Sequence, residues 1–246
     1  MKKLLTNILF VVLTQALFAQ ETVFEEGRTI YKRENAFGAI IHTAGWGLTY
    51  KYGVYTSGFT RRIYEVELVG VKHPKEIKSF SSVFDNSNGY VYGKLNSILV
   101  LRFSIGQHST FINKQSVRGI DISYILNTGL SFAYAKPVFL EVVDTSKTPI
   151  EYPIERYDPE KHPQGFIIGK ASWFRGFFNG KFYPGAYIKA GLNFESSRQA
   201  NKINALEVGA ILDVYLQKIP IMANDFNRNY FLNLYVSFTF GSKKTE

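Results

Sequence analysis

The chain has 246 residues, a net charge of +9, no cysteine, and 16% aromatic residues that include 16 tyrosines and 21 phenylalanines. Without cysteine it can form no disulfide, no thiolate metal site and no thiol nucleophile. Its lysines and arginines are scattered rather than blocked, which argues against a nucleic-acid arm and suits a neighbouring anionic lipid or polymer.

The opening MKKLLTNILFVVLTQALFAQ carries two lysines, an apolar stretch from Ile8 through Val12 to Leu17, and small Ala19. This pattern predicts a secretory signal peptide over residues 1–19; the apolar stretch is too short for a comfortable membrane-spanning helix. An exported chain meets no nucleic acid. No Pro/Gly/Ser-rich linker divides the remainder, so one domain is expected: a periplasmic N-terminal segment over 20–35, a barrel over 36–241 and a periplasmic tail over 242–246.

Period-two alternation recurs along the chain. In AFGAIIHTAGWGLTYKYGVY (36–55), Ile40, Ala44, Trp46, Leu48, Tyr50, Tyr52 and Val54 share one face, and Ile41, Thr43, Gly47, Thr49, Lys51 and Gly53 the other. Residues 59–72 set Tyr64, Val66 and Leu68 against Ile63, Glu65, Glu67 and Val69. Residues 90–105 set Leu95, Leu99, Leu101, Phe103 and Ile105 against Lys94, Asn96, Arg102 and Ser104. In 116–134, Ile120, Ile122, Tyr124, Leu126, Leu130 and Phe132 oppose Asp121, Ser123, Asn127 and Ser131. Residues 184–195 and 203–216 continue the pattern, with Lys189, Glu195, Glu207 and Asp213 on the polar side. The last run, 229–241, has six apolar residues from Tyr230 to Phe240 facing away from Asn233, Ser237 and Thr239.

Alternation alone fits a soluble sandwich or lipocalin-like barrel as well as a membrane barrel. Several runs exceed the ~10 residues that a tilted strand needs to cross hydrocarbon, their polar faces are glycine-rich, and tyrosine and phenylalanine recur near their ends. The fold class expected is therefore all-β, an antiparallel transmembrane β-barrel of eight strands, with ten as the second count. Seven runs are clear; the eighth is expected from the middle, either 136–144 or 166–178, the latter ending at a hairpin-like Asn179-Gly180.

The polar faces yield a candidate lumen network: Glu65, Glu67, Arg102, Asp121, Lys189, Glu195, Glu207 and Asp213. Such mixed charges in a narrow lumen would pair across it and plug it. The aromatic stretch WFRGFFNGKFY supplies a candidate docking surface or interfacial rim: Trp173, Phe174, Arg175, Phe177, Phe178 and Lys181. His42 and His108 are the residues that an enzymatic reading would use, whereas His73 and His162 lie in predicted loops. Glu151, Glu155, Asp158 and Glu160 match no known cation-loop spacing. No phosphate-binding glycine loop, HExxH or CxxC occurs, so no catalytic residue, cofactor or metal is expected.

The LFAQ end of the leader, the tyrosine-rich alternating strands and the final VSFTFG together resemble the small outer-membrane β-barrel proteins common in Bacteroidota. That resemblance implies location in the outer membrane of a Gram-negative bacterium, contact with its lipid and lipopolysaccharide, and insertion by barrel-assembly machinery. It further implies a non-enzymatic structural or accessory role in an envelope export or assembly complex, with an envelope protein as partner. A lipid-modifying enzyme and a small channel are the alternatives.

Overall fold

The computed structural model describes residues 31–81, 88–112, 119–144, 149–196, 201–223 and 227–245. The expected signal peptide and residues 20–30 lie outside these. In chain order the strands are β1 (Arg33–His42), β2 (Gly45–Tyr55), β3 (Thr60–Val71), β4 (Lys78–Ser79), β5 (Tyr90–Val91), β6 (Asn96–Ile112) and β7 (Ile120–Pro137). They continue with β8 (Phe139–Val142), β9 (Ile154–Arg156), β10 (Ile167–Lys170), β11 (Lys181–Ser196), β12 (Lys202–Tyr215) and β13 (Tyr230–Lys244).

Eight of them close into an antiparallel barrel in the order β1-β13-β12-β11-β7-β6-β3-β2. Closure through β1 and β13 removes every free edge from the wall, the condition for a sheet to lie in hydrocarbon. The shortest wall strand, β1, has 10 residues, enough for a tilted strand to cross a bilayer of ordinary thickness, about 9–11 residues.

The eighth strand comes from an unexpected place. Residues 36–55 are not one strand but the β1–β2 hairpin, in which His42 faces Gly45 across the two-residue loop Thr43-Ala44. A single strand of that length would span roughly 65 Å, far more than a tilted crossing of a ~30 Å core requires. Gly45 makes the turn with φ of 156°, and a Cβ there would lie 2.1 Å from the Gly70 carbonyl oxygen. A two-residue loop also exchanges parity. Ile40 pairs with Gly47 and points inward, fully buried, while Ile41 pairs with Trp46 and points outward. The expectation that Ile40 shares the outer face of Trp46 is thus overturned.

Both mid-chain candidates lie off the wall. β8, β9 and β10 form a separate three-stranded sheet, and β4 and β5 a two-stranded one. Asn179-Gly180 makes no type I′ turn, because Gly180 is extended (φ −81°) and Phe177–Asn179 form one 3₁₀ turn after left-handed Gly176. Nor do residues 242–244 belong to a tail, since Ser242, Lys243 and Lys244 pair with Asn35, Glu34 and Arg33.

The two rims differ. At the rim that carries both ends of the described chain, where β1 starts and β13 stops, the connections span only 56–59, 113–119 and 197–201, whereas the opposite rim carries the tight 43–44 turn and the long connections 72–95, 138–180 and 216–229. The small sheets belong to the long connections. They have their own core of Tyr90, Val138, Leu140, Val142, Tyr157 and Ile167, and make a cap at the loop rim.

The wall is turned inside out relative to a soluble protein. Phe37, Ile41, Trp46, Leu48, Tyr50, Phe103, Leu126, Leu130, Leu232, Leu234 and Phe238 stand exposed on its outer face, while lysine, arginine, glutamate and asparagine are buried inside. In water such a continuous apolar belt would be an aggregation surface; against acyl chains it is solvated.

Candidate functional site

The lumen is crossed by an ionic ladder whose rungs come from strands on opposite sides of the barrel. Near the rim of the chain ends, the Arg61 guanidinium lies 3.1 Å from both Glu34 and Glu195, Tyr55 donates to Glu34 at 2.9 Å, and Lys243 pairs with Glu195. In the middle, Lys189 on β11 reaches across to Glu65 at 2.8 Å and Glu67 at 2.7 Å on β3. Lys51 on β2 joins Glu207 on β12, and Thr49 and the Asn127 amide donate to the two oxygens of Glu65. Toward the loop rim, Arg102 on β6 forks onto Asp213 on β12 through Nε at 2.9 Å and Nη2 at 2.7 Å. Its third nitrogen donates to Glu67 at 3.0 Å, which ties this rung to the one below.

Each of these charges would be costly alone in so dry a place, and the pairing with additional hydrogen bonds is what makes burial tolerable. Two rings share in it: Lys189 sits 4.7 Å from the Tyr235 ring centre and Arg102 5.4 Å from that of Tyr187.

Seven of the eight residues taken from the polar faces belong to this ladder. Asp121 is at the end of β7 opposite Glu195 and only half-buried. Glu34, Lys51, Arg61 and Lys243, outside the candidate network, complete the ladder. Lys51 and Arg61 were detectable, since they share the parity of Thr49 and Glu65. Glu34 and Lys243 lay in segments assigned outside the barrel.

Above Arg102 the filling changes character. Ile219, Ile221 and Met222, from the 216–229 connection, are buried against Val71, Ile98, Val100, Ala133 and Ala135 as an apolar plug. The plug is clamped: the Asn227 side chain accepts the Ile221 and Met222 N–H groups and donates to the Met222 carbonyl, while Asn96 donates to the Pro220 carbonyl at 2.7 Å. Periodicity gave no sign of it.

His42 and His108 are both buried inside the barrel, and neither ring nitrogen of His108 has a hydrogen-bond partner among the described residues. His73 caps the 73–76 turn, and His162 accepts the Asp158 N–H while its other nitrogen lies 3.3 Å from Glu155. Among the described residues, no three metal-ligating side chains converge.

The aromatic stretch folds back onto the outside of the wall. The Tyr134 hydroxyl donates to the Phe177 carbonyl and accepts the Gly180 N–H at 3.1 Å, pinning the 3₁₀ turn to β7. Trp173 packs on Phe174 and Phe177, and the Lys136 ammonium lies 5.6 Å from its ring centre while donating to the Arg175 carbonyl. Phe174 and Phe178 are left exposed, as are Arg175 and Lys181. Between this turn and the wall runs an apolar groove of about 350 Å³, lined by Leu68, Leu99, Leu101, Phe132 and Phe182 among others.

No family model matches the chain, and no curated protein is significantly similar to it. Solved structures of similar shape include Neisserial surface protein A, with 10% identity, a TM-score of 0.40, and 87% of this chain and 96% of that one covered. The N-terminal β-barrel domain of Pseudomonas aeruginosa OprF gives 8%, 0.38, 86% and 100%. Ail, the attachment invasion locus protein of Yersinia pestis, gives 9%, 0.37, 87% and 98%.

Proposed function

We propose that the chain is an integral outer-membrane β-barrel of a Gram-negative bacterium with a sealed lumen, serving the envelope as a structural or accessory component. The observation that carries this reading is the inversion of the wall, with apolar side chains outward over a closed sheet and paired charges inward. The short connections at the rim of the chain ends and the long ones opposite match the usual arrangement of periplasmic turns and external loops. On this reading the cap faces the cell exterior. The work is done on the outer surfaces, because the ladder and the plug fill the lumen. A channel needs a continuous aqueous path, and a lumenal enzyme needs its substrate to reach His42 or His108. The filling argues against both.

The test is fractionation and conductance. The protein should remain with outer membranes after carbonate extraction, shift its gel mobility on heating, and give no conductance steps in a planar bilayer. Recovery in the soluble periplasmic fraction would overturn the reading, and steady conductance would overturn its sealed lumen.

A further inference from the structure

A second cavity, of about 300 Å³, opens at the loop rim where the cap meets the outside of the wall. Four lysines line it, Lys72, Lys78, Lys94 and Lys170, against one acid, Glu76. They come from three parts of the chain, the exit of β3, the β4–β5 ladder with its following turn, and β10. Lys94 is largely buried and paired with Glu76; burial and the neighbouring Lys170 and Lys72 ammoniums push its pKa down, partly offset by Glu76. Gly89 makes room for Lys78, because a Cβ there would lie 2.3 Å from the Lys78 Cε. Tyr90 and Val91 give the cavity an apolar side. Crowding like charges costs free energy, which an anion seated among these lysines would offset.

Its position supplies the second half of the argument. Ser97 lines this cavity, and Leu99, two residues along the same outward face of β6, lines the apolar groove. Successive residues on one face of a strand are about 7 Å apart. Across the β6–β7 ladder, Ser97 faces Lys136 and Leu99 faces Tyr134, so the cationic cavity stands directly over the groove on one strip of wall.

We propose that the two together bind one phosphorylated glycolipid of the outer leaflet, its headgroup phosphate among Lys72, Lys78, Lys94 and Lys170 and one acyl chain in the groove beneath Phe177 and Phe178. The inference rests on the outer-membrane reading for the source of the lipid. Charge complementarity selects an anionic headgroup, and the groove selects a lipid over a soluble sugar phosphate.

Native mass spectrometry of the detergent-purified full-length chain tests it, with diphosphoryl lipid A, phosphate-free lipid A, phosphatidylethanolamine and glucosamine 1-phosphate as probes. Diphosphoryl lipid A should be retained at least roughly tenfold better than the two lipids without net anionic charge, because lysines near the surface attract an anionic headgroup. Lys170→Glu should abolish that preference, and Phe178→Ser should weaken retention of every lipid. Equal retention of phosphatidylethanolamine and diphosphoryl lipid A would overturn the proposal, as would glucosamine 1-phosphate binding as tightly as the lipid. Heat-shifted mobility of each preparation shows that the barrel is folded. A chain that passes that check and extracts with outer membranes but shows no lipid preference refutes this inference alone. If Lys170→Glu fails to fold, the comparison of phosphorylated with phosphate-free lipid A on the unaltered chain still decides.

Discussion

The two halves of the lumen are closed by different physics. From the rim of the chain ends to Arg102 the filling is ionic, with directional pairs between facing strands. Beyond Arg102 it is the apolar plug of Ile219, Ile221 and Met222, held by backbone and amide hydrogen bonds. Ion pairs fix which strands face each other and at what height, because a shift of one residue would turn every charge toward lipid. A plug fills whatever shape remains. The contrast teaches that the wall determines the ladder, whereas the plug is an addition from a connection.

Breaking the ladder should have the largest effect. Arg102→Met leaves Asp213 buried without its cation and Glu67 with Lys189 alone, and should lower stability by about 3–5 kcal/mol, read from urea unfolding in lipid vesicles. Replacing Arg102 and Asp213 together by apolar residues should recover part of that loss. A charge on the opposite face comes next: Val66→Arg, mid-wall and outward, should cost about 2–4 kcal/mol in vesicles. The plug answers more gently, since Ile221→Val removes one methylene and should cost about 0.5–1.5 kcal/mol while leaving the protein non-conducting. Smallest of all is the cap pair of His162 with half-exposed Glu155, where Glu155→Gln should change stability by less than about 1 kcal/mol.

The same contrast explains what the sequence discloses. Inward residues of a regular strand recur every second position, so Glu65, Glu67, Arg102, Lys189, Glu207 and Asp213 were legible from parity alone, as were seven alternating runs of the wall. Parity carries no warning of a two-residue turn inside an unbroken run, which is why 36–55 reads as one strand and Ile40 is placed on the wrong face. Strand ends are no better marked. Glu34 and Lys243 lie beyond the runs of strong alternation, yet they pair with Arg61 and Glu195 inside the lumen. The plug and the lysine cavity are harder still. Ile219 and Ile221 occupy a connection, and Lys72, Lys94 and Lys170 are brought together only by the folding of the cap.

The central claim, an inverted wall in lipid around a sealed interior, is tested most directly on β13. The chain contains no cysteine, so single cysteines can be placed without background. Val236 points outward and Ser237, its neighbour, is fully buried inside. In vesicles, a nitroxide on Val236→Cys should be relaxed by oxygen dissolved in the bilayer and shielded from a water-soluble relaxation agent, while Ser237→Cys should resist an aqueous maleimide until the barrel is unfolded. Ready access of the aqueous reagents to both positions would contradict the account.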